Sequence, residues 1–345
     1  MRINESFHKK TSNNMSKLNR QTIKNVIKLS VAVLAPIAAA YLKTKLKQTA
    51  EEEKEKSQET TPENTEKTQE SERPQESGKV QESEKPMDAP KADAEIKVSD
   101  VAGKAINIIE KTGCKIAHIV NCNNITEEQL TNVYLRMTEQ PNPGFVRVMV
   151  ELDNIIIDNL LEEYENHLSD MDDFIQSKLN TPLEDAESII ENRFEEIKEI
   201  YISEGDMDWD NDIIAWGKKS DECEALKSLI LNKSDNILCF VDVPVQSVYD
   251  VFCYLPFGGV ESPEPLEHRS IAKYWFEKFG AVPCFMSGDI LQFYVKQPVK
   301  EDEEAKALAL QQFGFCSDIV TQGCETVQNL ATALKSSRFW YFWWD

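Results

Sequence analysis

Cys316, Asp318 and Gln322 fall close together in FGFCSDIVTQG (Phe313–Gly323), where a thiol, a carboxylate and a carboxamide sit among apolar residues. A thiol becomes a nucleophile only as thiolate, which needs a cation or a helix N-terminus nearby. The local sequence supplies no Lys, Arg or His. Two arrangements follow. In one, Cys316, Asp318, Gln322 and Trp343 line a small pocket, with the tight Gly258–Gly259 loop as a further binding element. In the other, which is preferred, Cys316 is a core thiol, Asp318 and Gln322 tie loops together, and Trp343 packs in a final strand. His268, just after the glycine-rich loop, is the best-placed general base of the chain, and a surface helix histidine is the simpler reading.

Metal chemistry finds weak support. Cys114, His118 and Cys122 are evenly spaced, but on a β-strand four residues span about 13 Å, too far for ligands of one ion. His118 is therefore expected in the core. Asp206, Asp208 and Asp210 in EGDMDWDND begin like a calcium loop, yet Asn211 and Gly217 stand where Gly and Glu are required. A solvated acidic turn or a weak cation site is the expectation. The eight cysteines include no Cys-x-x-Cys pair, and several lie inside apolar runs, a usage that suits buried thiols in a reducing compartment. Dinucleotide, P-loop, hydrolase-elbow and zincin motifs are all missing, so no cofactor is expected.

Charge divides the chain of 345 residues into three materials. Residues 1–50 hold ten basic residues and one acid, residues 51–100 eight and sixteen, and residues 101–345 twenty and 43, for a net −22. Such an acidic main region argues against nucleic acid, which rewards Lys and Arg placed against phosphates. It favours a protein or other basic partner.

The basic first segment, residues 1–47, carries the apolar run LSVAVLAPIAAAYL from Leu29 to Leu42. Fourteen residues are short for a bilayer; Val26 to Leu46 reaches membrane length if Lys28, Lys43 and Lys45 snorkel. A single membrane anchor with the main domain outside is expected from the preceding positive charge. A cleaved signal is one alternative, and an Ala-rich helix buried in a partner or lying on a membrane surface, with the protein cytoplasmic, is another. Residues 48–95, with Gln-Glu-Ser at Gln69, Gln75 and Gln81, contain almost nothing to bury and read as a disordered acidic linker.

From residue 96 apolar periodicity returns. A helix is expected over Val101–Lys111, a strand over Lys115–Val120, and a helix from the Thr126/Gln129 capping box to about Glu139. FVRVMVEL reads as a strand with one wetter face, and residues 153–200 as two acidic helices broken at Asn180–Pro182. ILCFVDVP is a further strand. Ser262 and Pro263 open a helix bearing Ile271, Ala272, Trp275, Phe276 and Phe279 and closed by Gly280. A hairpin turns at Ser287–Asp289, helices follow from Glu301 to Gly314 and Thr326 to Leu334, and RFWYFWWD ends the chain. The fold class is α+β: mixed sheet with flanking helices, as a lobe over 96–205 and a domain over 206–345 joined near Trp209–Asp235.

PFGG (Pro256–Gly259), KYWFEKFGA (Lys273–Ala281), FGFCSDIVTQG and the terminal WYFWWD (Trp340–Asp345), in that order, resemble a bacterial family known as domain of unknown function 4253. The similarity is strong over about residues 237–345 and faint back to about residue 96. The family usually continues PFGG with Trp and a Cys-Pro pair, where Val260, Glu261 and Ser262 stand, and has Pro where Ser317 stands. The resemblance implies a compact α+β domain and no particular activity. A hydrolase or transferase working through Cys316 and Asp318 is the rival to a tethered acidic binding domain.

Overall fold

The structure is a computed structural model, and it describes residues 98–139, 143–204, 208–218, 223–232, 234–259 and 261–344. The expected anchor and linker, and Asp206, lie outside the described residues. The described residues fall within one compact unit. None of its described helices is long and apolar enough to cross a membrane.

The elements run α1 (Asp100–Lys111), β1 (Lys115–Asn121), α2 (Glu127–Glu139), β2 (Val146–Leu152), α3 (Asn154–Tyr164), α4 (Met171–Asn180), α5 (Ala186–Glu204), β3 (Ile237–Val243), α6 (Pro265–Phe279), β4 (Val282–Met286), β5 (Ile290–Tyr294), α7 (Asp302–Phe315), α8 (Val327–Leu334) and β6 (Phe339–Trp343). One six-stranded mixed sheet has the order β1-β3-β2-β4-β5-β6. Its pairs are antiparallel except β2 with β4, so the sheet is mixed as the sequence suggests. β3 lies between β1 and β2, so strands from both sides of residue 205 share this sheet.

Both faces are covered, which explains why β3 is buried at every position and why ILCFVDV is nearly continuous apolar sequence. One face carries the larger core, built from α1, α3, α6, α7 and α8 and centred on Trp275, Phe293, Phe315 and Phe342. The other is closed by α2 and an extended strap containing Leu229 and Leu231. The strap forms no strand; Leu226 O accepts from Arg338 N–H and Phe339 N–H, and side chains hold the rest. Ile230 N–H donates to Gln292 Oε1 (2.9 Å), and Gln292 Nε2 returns a bond to Ile230 O (2.7 Å). Leu229 N–H donates to Thr131 Oγ1 and Leu231 N–H to Glu127 Oε1. Gln292 is fully buried, so those bonds supply the partners that a buried carboxamide needs.

Because both faces are packed, β2 has no wetter face. Arg147 pairs with Asp242 on β3, and Glu151, 4% exposed, accepts from Ser234 Oγ and Asn236 Nδ2. Three helices, not two, follow β2, with the expected break after Asn180. The α2 capping box forms as read, with Thr126 and Gln129 exchanging both bonds. α6 begins two residues later than expected. Glu264 and Glu267 make its capping box and Pro265 occupies the first turn, a pairing that Ser262 and Pro263 cannot offer because no carboxylate follows at the required spacing.

Helix α7 crosses α5 closely at Gly314, where a Cβ would lie 2.8 Å from Ile190 O. Glycine is required there by backbone proximity.

Candidate functional site

Six segments converge on the larger core near the C-terminus. α6 contributes His268, the end of α7 contributes Phe315 and Cys316, and the following π-helical turn (Ile319–Cys324) has Asp318 at its N-cap. The chain end contributes Trp344, α5 contributes Arg193, and the loop before α6 contributes Gly258, Gly259 and Glu261. Gly259 packs against the chain end: a Cβ there would lie in ordinary contact, 3.4 Å from Trp344 Cβ and 3.5 Å from Gly288 O.

His268 is not a surface residue: it is 1% exposed, inside a box of Phe252, Phe257, Phe315 and Trp344 rings at 5.1–5.8 Å. The sequence reading missed this because α6 buries a wider arc than its aromatic stripe, taking in His268, Arg269 and Ser270. Neither His268 ring nitrogen has a hydrogen-bond partner. Burial, and then the Arg193 charge, lower its pKa to about 3. The imidazole is neutral at ordinary pH.

Among the described residues six buried side-chain nitrogens lack a hydrogen-bond partner, and four of them, Arg193 Nε, both His268 nitrogens and Trp344 Nε1, belong to this cluster. Arg193 does donate through Nη2 to Glu261 O (2.7 Å). Its pKa is lowered by burial, against the raising influence of Glu267, Cys316, Glu196 and Glu261. Loss of hydration and then the Asp318 carboxylate raise Glu261. No sequence motif marks Arg193, which sits on a helix that reads as a solvated acidic one.

Cys316 is 1% exposed and donates its S–H to Trp343 O (2.9 Å). Burial drives its pKa well up and the Asp318 charge adds to the shift, so the thiol stays protonated. Asp318 thus works against thiolate formation. Strand alternation sends the Trp343 ring to the opposite sheet face, where its indole hydrogen-bonds the Asp289 carboxylate; Trp344, not Trp343, joins Cys316 and His268. Gln322 is half-buried on the π-helical turn. Of the expected pocket the structure brings together Cys316 and Asp318 without the Trp343 ring, and it joins to them the separate candidates His268 and Gly259 together with Arg193, Glu261 and Trp344.

The other candidates resolve simply. His118 is exposed on edge strand β1, whose one strand neighbour is β3, and its ring packs on Phe240. Asp208 caps a π-helical turn (Trp209–Ile214), accepting from Asn211 N and Nδ2. No cluster of His, Cys, Asp or Glu among the described residues has metal-holding geometry. Cys223 and Cys324 form a disulfide, and the remaining six cysteines are buried thiols outside it.

The His268 environment makes a pH prediction. The unfolded chain takes up a proton near the ordinary imidazole pKa of about 6.5, while the folded protein resists protonation down to about 3. Stability is therefore lost as pH falls through that window. His268→Phe should flatten the dependence of the urea midpoint on pH between about 6 and about 4. It should also leave neutral-pH stability equal or higher, since two unpaired nitrogens disappear. Identical slopes for both proteins would contradict a buried neutral imidazole.

Residues 239–345 match the model of the family described as Domain of unknown function (DUF4253), in agreement with the resemblance carried by PFGG, KYWFEKFGA, FGFCSDIVTQG and WYFWWD. No curated protein and no solved structure matches the chain.

Proposed function

We propose that the folded region is an acidic binding domain for a basic protein partner, held at a distance from a membrane by residues 1–95. The observation that carries this reading is the state of Cys316, the candidate nucleophile, and of His268, the candidate general base. His268 has no hydrogen bond on either nitrogen, so it makes none with Cys316, and the thiol is committed to the Trp343 carbonyl. A Cys-His nucleophile needs the base bonded to the thiol and a thiolate-favouring charge beside it. Here burial and the Asp318 carboxylate outweigh the nearby Arg193 guanidinium and keep the thiol protonated.

The excess of acid over base across residues 101–345, 43 against twenty, supplies a field that accelerates encounter with cationic surfaces and repels phosphate backbones. In this proposal Leu29–Leu42 is the core of the anchor and residues 48–95 the spacer. The test is retention of the full chain on immobilised polylysine and polyglutamate. Retention on polylysine alone, lost as ionic strength rises toward about 1 M, is expected. Equal retention on both polymers would overturn the proposal.

A further inference from the structure

Helices α5 and α7 leave between them a groove of about 310 Å³, whose floor is Ile190, Phe194 and Leu310 and whose rim is Glu187, Glu191 and Glu195. That volume is at the low end for ligand sites, enough for a few side chains. Phe194 is itself fixed from behind, edge-on to Phe313 (6.0 Å) and Trp209 (5.7 Å), so the floor is rigid. The rim is unusual for a helix. Glu187, Glu191, Glu195 and Glu199 recur at every fourth position of α5, and like charges one turn apart destabilise a helix.

Internal countercharge is sparse. Lys198 lies 3.6 Å from Glu195, and Glu187 accepts from Tyr274 Oη (2.6 Å), which in turn receives Lys278 Nζ. Glu191 has no ion-pair or side-chain hydrogen-bond partner among the described residues. An occupant carrying cations at the same spacing would relieve the repulsion along the rim while its apolar side chains cover the floor.

We infer that this groove receives an amphipathic helix of the partner protein, one presenting Leu or Phe with Lys or Arg a turn to either side. This rests on the proposed basic-partner reading and gives it a location. Helix-in-groove docking uses such spaced apolar anchors, with charges around them setting specificity.

The test measures fluorescence anisotropy of a labelled helical peptide of about four turns, Leu and Phe on one face and Lys on its flanks, titrated with the full chain. A Lys→Glu version of the peptide serves as control. The wild type should bind the basic peptide and not the acidic one. Glu191→Lys with Glu195→Lys should weaken binding ~tenfold or more, whereas Asp172→Lys with Asp173→Lys on α4 should stay within about twofold. Circular dichroism verifies folding of each variant; if the charge reversal unfolds, Glu191→Gln with Glu195→Gln replaces it, with a loss of ~threefold or more expected. Wild-type affinity in the groove variant would overturn the groove while leaving the basic-partner reading intact. No preference for the basic peptide, with polylysine retention preserved, would likewise overturn the groove alone. Loss of both would overturn the reading beneath it.

Discussion

Replacing Arg269 with alanine should lower the unfolding free energy by about 3–5 kcal/mol, the cost of stripping one member from a buried charged pair. Arg269 is 6% exposed and every arm of its guanidinium is engaged. Nε donates to Asp250 Oδ1 at 2.8 Å, Nη1 to the carbonyls of Lys178 (3.1 Å) and Thr181 (3.2 Å), and Nη2 to Leu179 O (3.0 Å). Those carbonyls lie at the C-terminus of α4, where Lys178 O also accepts from Thr181 N–H, so one side chain caps α4, fastens it to α6 and neutralises Asp250. Truncation strips the guanidinium from a carboxylate and from the Leu179 and Thr181 carbonyls, while Lys178 O keeps its bond from Thr181 N–H. Lysine keeps the charge but lacks the planar fork, and should recover only part of the loss. Urea unfolding followed by tryptophan fluorescence measures it. Asp250→Asn combined with Arg269→Ala should cost less than the two single changes added together, because both break the same pair. A loss under about 1 kcal/mol for Arg269→Ala would mean that solvent or another donor replaces the guanidinium.

Trp275→Ala should cost a similar ~3–5 kcal/mol by a different route, the cavity left in a packed core. Trp275 is wholly buried, with Phe315 at 4.9 Å, Trp340 and Phe342 at 5.5 Å and Phe293 at 5.6 Å between ring centroids. Its Nε1 donates to Gln311 Oε1 (3.3 Å). These neighbours come from β5, β6 and the end of α7, so the indole joins elements brought together only by the complete sheet. The near-ultraviolet circular dichroism band should weaken sharply while helical content persists below the lowered Tm. Unchanged near-ultraviolet signal would show that the aromatic cluster is not organised around this ring.

Local devices were legible in the sequence because local chemistry dictates them. The Thr126–Gln129 box, the Ser287–Asp289 turn, the Gly280 stop and the helix ending at Leu334 all fall where spacing places them. Long-range pairing was not. Nothing in ILCFVDV says that it inserts between β1 and β2, since an all-buried strand carries no alternation to mark its neighbours. The strap held by Gln292 was also invisible, because its bonds run from backbone to side chains more than sixty residues away.

The candidate site was legible in part for the same reason. Cys316, Asp318 and Gly259 lie in motifs distinctive enough to notice. Arg193 and Trp344 acquire meaning only when α5 and the chain end meet beside α6. His268 and His118 exchanged their expected settings, one buried and one exposed, because a single histidine has no pattern of its own and takes its environment from the packing of its element.

The claim on which the rest depends is that Cys316 and the aromatic chain end are packing, while function lies in binding. Alkylation of each cysteine in the native full chain, followed by mass spectrometry from about pH 7 to about pH 9, addresses it most directly. Cys316 should stay unmodified throughout and react only after unfolding in urea, together with the other buried thiols. Rapid, selective modification of Cys316 in the folded protein near neutral pH would contradict the account and restore thiol chemistry as the function to pursue.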